Sequence, residues 1–211
     1  MKRVVLAPHA DDAEWGCGGL MAKYPDDDWM IVLMTLPTAE RAAEMKLALE
    51  ELQGARVHSV IEVGLQDGRV GLDPGWLVWY LDELVAKCEP EELYLPLPGV
   101  HQDHIATYEA GMRTARLSMS SAHWCPPRVL VYDIPVYDLE LYPTGLRWNV
   151  FESLTGEQVS AKARAVAAYQ SQVDHSPYFA LGKEVLDGAR ALGAQHGVLY
   201  AERYALVRDV R

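Results

Sequence analysis

The sequence predicts an α/β fold: a Rossmann-like, mostly parallel sheet flanked by helices. Three observations carry this expectation. Short apolar runs alternate with helix-forming stretches along the chain, as in successive strand–helix units. The runs are apolar on consecutive residues, the mark of strands buried on both faces. Two of them are followed at once by clusters of polar residues, where a sheet of this kind binds its ligands. The 211 residues suit one domain over 1–211, and half of them are hydrophobic, enough for a sizeable core.

The elements follow in order. Residues 4–7 form the first apolar run, and 8–14 read as a polar turn. Gly16, Gly18 and Gly19 open a helix-like segment that runs to about Tyr24. The second strand is expected over 30–34. Residues 39–52 are rich in Ala, Glu, Leu, Lys and Met, strong helix formers, and Gly54 supplies a stop. A third strand is expected over 57–63, then a turn at Gln66-Asp67-Gly68-Arg69. Pro74 is well placed in the first turn of a helix over 74–87. A strand over 93–97 precedes a loop and helix over 101–116, and a strand over 129–134 is closed by Pro135. Two helical stretches, 157–169 and 185–192, flank a polar loop at 171–177, and a strand over 204–207 ends the pattern.

Charge and cysteine usage exclude several function classes. Nineteen Lys and Arg against 30 Asp and Glu leave a net charge of −11, which argues against nucleic acid or an anionic membrane as partner. The longest apolar stretch, residues 29–36, is too short to span a bilayer, and the four apolar residues between Arg3 and Pro8 are too few for a signal peptide. Cys17, Cys88 and Cys125 form no CxxC pair and no even framework. The expectation is a soluble, cytoplasmic protein with free thiols. Gly16, Gly18 and Gly19 do not make the dinucleotide fingerprint, and the carboxylates before them would repel a pyrophosphate. They are expected to let the first helix pack close to the sheet.

The chemistry concentrates in two clusters. The first, Pro8-His9-Ala10-Asp11-Asp12-Ala13-Glu14, sets one imidazole and three carboxylates at a strand end. His9 and Asp12, three apart, can converge on one ion from a tight turn, leaving Asp11 free to handle protons. The second is His101-Gln102-Asp103-His104, from which His104 can add a third ligand. Asp103 can bond to His101 or to a ligand from behind it. Two histidines and a carboxylate with an open position match a catalytic zinc site. The competing reading is plain: Asp11, Asp12 and Glu14 as helix-capping carboxylates, and His101 and His104 as surface residues.

Here the sequence resembles the LmbE-like/PIG-L deacetylases, relatives of N-acetylglucosaminylphosphatidylinositol de-N-acetylase. His9-Ala10-Asp11-Asp12-Ala13-Glu14 with Gly16 and Gly18-Gly19 looks like H-P-D-D-x-E…G-G, with Ala10 replacing the usual proline. His101 to His104 match H-x-D-H. Arg41 and Glu44 match R-x-x-E, Asp67-Gly68 an acidic turn, and Lys162 with Ser171-Gln172 a K…S-Q segment. Gly197, Tyr200-Ala201-Glu202 and Tyr204 resemble the closing motif, so the likeness covers nearly the whole chain.

The resemblance implies the LmbE-like fold and hydrolysis of the acetamide of an N-acetylglucosamine-type sugar or conjugate. It implies His9, Asp12 and His104 as ligands of one Zn2+ per chain, with another divalent metal as the alternative. Asp11 corresponds to the general base, and His101 to the histidine that assists the transition state. In this reading a protonated His101, kept charged and oriented by Asp103, stabilises the oxyanion. Two alternatives are carried alongside: an amidase acting on a larger acylated glucosamine conjugate, and a non-catalytic sugar- or metal-binding member of the fold. Many relatives are oligomers, so a homo-oligomer whose neighbouring subunit completes the pocket is a further expectation.

Arg41 and Asp67 are the candidates for holding sugar hydroxyls. Glu14 is read as structural, Gln172 as either a site or a helix-terminal residue, and His175 as a pocket candidate. His58, His123 and His196 are read as structural, and Cys17 as a small buried residue. Trp76 and Trp79, three apart, have core spacing, while Trp15, Trp124 and Trp148 fall near the motif or loops where one could stack on a sugar.

Overall fold

The computed structural model describes residues 1–52, 57–134, 145–173 and 182–210. Gly54, Pro135, His175 and the end of the 171–177 loop lie outside the described residues, as does the side chain of His58. The elements are β1 (Lys2–Ala7), α1 (Asp12–Lys23), β2 (Asp28–Thr35), α2 (Ala39–Glu51), β3 (Val57–Leu65), a single 3-10 turn (Val70–Leu72), α3 (Pro74–Cys88), β4 (Glu92–Pro96), α4 (Gln102–Thr114), β5 (Arg128–Tyr132), β6 (Val150–Leu154), α5 (Gly156–Ala167), α6 (Gln170–Val173), α7 (Gly182–Gln195) and β7 (Tyr200–Asp209).

The sheet order is β3-β2-β1-β4-β5-β7-β6. Pairing is parallel from β3 through β5, and β7 runs antiparallel to both its neighbours. The first three strands step one way from the centre and β4 and β5 step the other. The reversal falls between β1 and β4, paired through Arg3–Glu92, Val4–Leu93 and Val5–Tyr94. The crevice beyond the ends of two such strands is where open α/β sheets bind ligands.

Strand alternation divides the core in two. Val5, Ala7, Ile31 and Leu33 face α1, α2 and α5, where they meet Trp15, Leu20, Met45 and Val159. Val4, Leu6, Val32 and Met34 face the other way, onto Leu77, Leu81 and Val85 of α3 and Ala110 of α4. Thr38 caps α2 by accepting from the Arg41 N–H, Asp73 caps α3 ahead of Pro74, and Thr155 and Gln158 form a capping box at α5.

Three local expectations need correction. Helix α1 begins at Asp12, so Asp12 and Glu14 lie in its first turn rather than in the polar turn read over 8–14. Carboxylates are favoured at a helix N-terminus, which turn-like composition conceals. Strand β6 was not expected at all; its sequence, Val-Phe-Glu-Ser-Leu, lacks a clear apolar run, and it is an edge strand paired only through β7. Trp76 and Trp79 keep their helical spacing but are 38% and 58% exposed, so that face of α3 is not core.

The resemblance-matched Lys162 and Glu202 meet as a buried pair at 2.6 Å. Glu202 also accepts from the backbone N–H groups of Gly19 and Leu20, each at 2.8 Å, and from the Tyr204 hydroxyl at 2.9 Å. This carboxylate pins the middle of α1 to β7 and leaves neither of its oxygens unbonded. None of the described helices is long and apolar enough to cross a membrane.

The glycines of α1 allow the close approach. A Cβ on Gly16 would stand 2.1 Å from the Tyr132 ring, itself tied to the Leu6 carbonyl by a 2.8 Å hydrogen bond, and one on Gly19 would stand 2.5 Å from Leu154. Gly16→Ala is therefore expected to destabilise the fold by about 1–3 kcal/mol through overpacking. Urea denaturation measures this; an unchanged midpoint would show that Tyr132 yields freely.

Candidate active site

The two polar clusters come together at the β1–β4 crevice. After β1 the chain turns at Pro8, whose carbonyl accepts from the Thr35 N–H at 3.2 Å and the Thr35 hydroxyl at 2.9 Å. This ties the turn to the end of β2. Asp11 adopts φ 122°, a left-handed conformation costly for a residue with a Cβ, and its carbonyl accepts from Trp15 at the start of α1. The kink separates two adjacent carboxylates. Asp12 turns toward the histidines, and Asp11 turns toward Arg41.

Asp12 Oδ2 lies 3.4 Å from His9 Nδ1 and 3.4 Å from His104 Nε2. All three ligand atoms lie within 4.8 Å of one another. The spacing suits a metal: tetrahedral bonds of about 2.0–2.1 Å set neighbouring ligands roughly 3.3–3.4 Å apart. Asp12 and His104 are buried and His9 nearly so. Burial opposes charge on Asp12, but His104 and His9 beside it prevail and hold its carboxyl below the usual range. Burial lowers His104 and so favours the neutral imidazole a metal requires. In the metal-free chain, hydrogen bonding and charge from Asp12, with the charges of Asp67 and Asp103, overcome burial and raise His9 to about 9.

Asp103, fully buried in the first turn of α4, takes the second of its two expected places, behind a candidate ligand rather than against His101. Its carboxylate meets His9 Nε2 at 3.2 Å and accepts from the backbone N–H groups of Gly68 at 2.7 Å and Val70 at 3.1 Å. It thus fixes the ring whose other nitrogen faces Asp12, the carboxylate–histidine arrangement found behind metal ligands. Gly68, at φ +77°, allows the turn that presents those donors. Only the backbone N–H of Asp103 reaches His101, donating to Nδ1 at 3.2 Å as the cap of α4. An Nδ1 in that role accepts, which leaves Nε2 as the donor of the ring. The His9 and His101 rings meet edge-on with centroids 4.8 Å apart.

His9, Asp67, His101 and Asp103 form a second group with ligand atoms within 4.8 Å. It gathers around the other nitrogen of the same His9 ring, where Asp103 already takes two backbone donors and Asp67 is 73% exposed.

Beside the triad, Asp11 Oδ2 lies 3.2 Å from Arg41 Nη2, which donates to the Ala10 carbonyl at 2.7 Å. Burial, reinforced by Asp12, raises the Asp11 carboxyl well above its ordinary range, against the pull of Arg41. Arg41 Nη1 is buried and has no hydrogen-bond partner among the described residues. Glu14 is fully buried, with one oxygen accepting from the Tyr169 hydroxyl at 3.0 Å and the other without a hydrogen-bond partner among the described residues, and burial raises it to about 7.

These residues open into a cleft of about 420 Å3 whose walls include Asp11, Arg41, Asp67, His101, Ser171 and Gln172. Among the described residues, every candidate catalytic, metal and substrate-binding residue is thus at the cleft or directly behind it. No tryptophan lines it among the described residues: Trp15 is buried in the core, Trp124 bonds the Pro90 carbonyl, and Trp148 lies under Arg203. The sequence reading missed the Gly68 and Val70 donors to Asp103, and Tyr169 as partner of Glu14. Backbone donors leave no signature in side-chain identity, and Tyr169 is 155 residues from Glu14.

Comparison with known proteins identifies the family. The family model described as GlcNAc-PI de-N-acetylase, PIG-L, matches residues 4–115, which contain both clusters. The uncharacterized deacetylase YaiS of Escherichia coli (strain K12) is 25% identical over 182 residues, covering 80% of this chain and 90% of that protein. Among solved structures, N,N'-diacetylchitobiose deacetylase from Pyrococcus horikoshii superposes with a TM-score of 0.75 at 18% identity, covering 98% of this chain and 84% of that one. GalB, the 4-carboxy-2-hydroxymuconate hydratase of Pseudomonas putida KT2440, gives the same TM-score and identity over 98% and 96% of the two chains. At such identities the two structures speak for the fold alone. The family match spans more than half of the chain, which therefore belongs to the PIG-L family of GlcNAc-PI de-N-acetylases.

Proposed function

We propose that this chain is a zinc-dependent hydrolase that removes the N-acetyl group from an N-acetylglucosamine-type sugar or conjugate, giving acetate and a free amine. The observation that carries the reading is the His9–Asp12–His104 triad at tetrahedral spacing, with the Asp11 carboxylate next to it in an open cleft. Because the likeness extends to a hydratase, the fold by itself does not choose the reaction. Family membership, and a base placed beside a candidate metal site, favour amide hydrolysis.

His9, Asp12 and His104 would hold the zinc. When bound, zinc supplies a Lewis acid for the amide carbonyl and brings a water to a pKa of about 7. Asp11 takes the proton of the attacking water, and its desolvated setting strengthens it as a base. Arg41 holds that carboxylate in place from Nη2 and keeps it from becoming protonated too readily. His101 donates from Nε2 to the oxygen on which negative charge develops, with its ring fixed by the N-terminus of α4. Asp103 keeps the His9 ring in register. Arg41, which lines the cleft, and the exposed carboxylate of Asp67 offer a donor and an acceptor for sugar hydroxyls.

The deciding experiment is acetate release from N-acetylglucosamine, diacetylchitobiose, and malate and inositol glycosides of N-acetylglucosamine, using protein as purified, chelated and zinc-restored. Release that disappears on chelation and returns with zinc is expected. Chelator-resistant release, or none from a fully zinc-loaded chain, would count against the assignment.

Separate roles follow for two carboxyl and imidazole groups. Asp11→Ala is expected to retain zinc while turnover falls by about 10²–10⁴; activity within a few-fold of the parent would remove Asp11 as the base. His104→Ala is expected to lose zinc, measured as metal per chain by elemental analysis; full occupancy would remove His104 from the ligands.

Zinc affinity carries a pH signature. Below about 9 the metal-free chain holds a proton on His9 that binding must release, whereas Asp12 and His104 are shifted toward their ligand forms. Affinity is expected to rise by about tenfold per pH unit between 6.5 and 8.5. Calorimetry in two buffers checks both the slope and the proton release; a flat profile would contradict it. In the metal-free chain the same shift stabilises the fold fully below pH 6.5 and is lost as pH rises through about 9.

A further inference from the structure

Helix α6, Gln170–Val173, is one turn long, and a single turn does not hold itself. Its first residues nevertheless form part of the cleft: Ser171 and Gln172 line it together with Arg41 and His101. The segment is held from outside at two points. The Tyr169 hydroxyl donates to Glu14 of α1, with the Arg41 guanidinium 5.4 Å from the Tyr169 ring centroid. The Ser171 N–H donates to Glu44 Oε1 and the Ser171 hydroxyl to Glu44 Oε2, each at 2.7 Å. Glu44 is 8% exposed and sits one residue short of a full turn beyond Arg41 on α2. A carboxylate that takes both a backbone and a side-chain donor from one residue fixes that residue's position and direction. Gln172, next in the chain and exposed, carries an amide with both a donor and an acceptor, the pair that suits neighbouring hydroxyls.

We propose that Glu44 is a positioning residue for substrate binding: through Ser171 it fixes the Ser171–Gln172 wall, and Gln172 contacts the hydroxyls of the sugar. The effect on substrate rests on the deacetylase reading above; the clamp itself does not. Glu44 touches neither the candidate metal ligands nor Asp11 in any contact described above, so its influence falls on affinity rather than on the chemical step.

The test uses zinc-loaded protein in three variants, Glu44→Ala, Glu44→Gln and Gln172→Ala, with folding checked by thermal melting. Glu44→Ala is expected to raise KM about tenfold, the loss of about one strong hydrogen bond, with kcat within about twofold and zinc content unchanged. Glu44→Gln is expected to restore KM to within about threefold, since an amide can accept from the N–H and donate to the hydroxyl. In the Gln172→Ala background, Glu44→Ala should add less than about twofold, because the two act as one unit. Hydrogen exchange in the absence of substrate supplies an independent arm: the Ser171 amide should open at least about tenfold faster in Glu44→Ala and stay protected in Glu44→Gln.

Unchanged Ser171 exchange in a folded Glu44→Ala protein would overturn the clamp. A fall in kcat at constant KM, or fully multiplicative effects of Glu44→Ala and Gln172→Ala, would overturn the positioning role. If Glu44→Ala does not fold, Ser171→Ala replaces it, with an expected KM increase of about threefold from the lost hydroxyl bond. Failure of the unmodified protein to release acetate would sink the deacetylase reading, and the exchange arm would still decide the clamp.

Discussion

A carboxylate removed from water must be compensated by donors, and Asp103 makes that requirement the centre of the molecule. Its partners come from two separate segments, the His9 ring after β1 and the Gly68 and Val70 amides after β3, which converge on the first turn of α4. Neither segment is near the other, or α4, in sequence. Leaving either of them out of place would strand a buried charge, so the turn after β1, the turn after β3 and the start of α4 are fixed against one another. The candidate ligands on His9 and His104 are held at their spacing by the same requirement.

The sheet supplies the other half of that arrangement. Strands β1 and β4 are adjacent although two strand–helix units separate them in the chain. Their parallel pairing delivers both polar clusters to one crevice. The helix cap at His101 occupies Nδ1, so a backbone amide sets which ring nitrogen is left to donate. At the site, backbone strain falls on Asp11, the residue that must face away from its neighbour Asp12.

Much of this was legible in the sequence, for identifiable reasons. Consecutive apolar residues at 4–7, 30–34 and 93–97 announced the central strands because burial on both faces removes alternation. The ligand-type residues were legible because His9, Asp12 and His104 sit at strand and helix ends within short motifs. Strand β6 was not, since an edge position relaxes the demand for apolar side chains. The start of α1 was hidden because Asp12 and Glu14 are helical and buried, a combination that composition does not anticipate. The partner of Asp103 could not be chosen from spacing: His101 is two residues away and His9 is 94, yet the carboxylate goes to His9. Local separation is a poor guide wherever a side chain points back across the sheet.

The cleft is built of two materials. Its floor is the set of groups at the ends of β1 and β4, locked by buried hydrogen bonds to the sheet, whereas the wall bearing Ser171 and Gln172 is carried by a single helical turn held by side chains from α1 and α2. A change to the floor propagates into the frame; a change to the wall stops at its clamps. Reaction and selectivity are thereby separable properties of this chain, and a library confined to α6 and the clamped face of α2 could explore new substrates while the reactive groups stay where the sheet puts them.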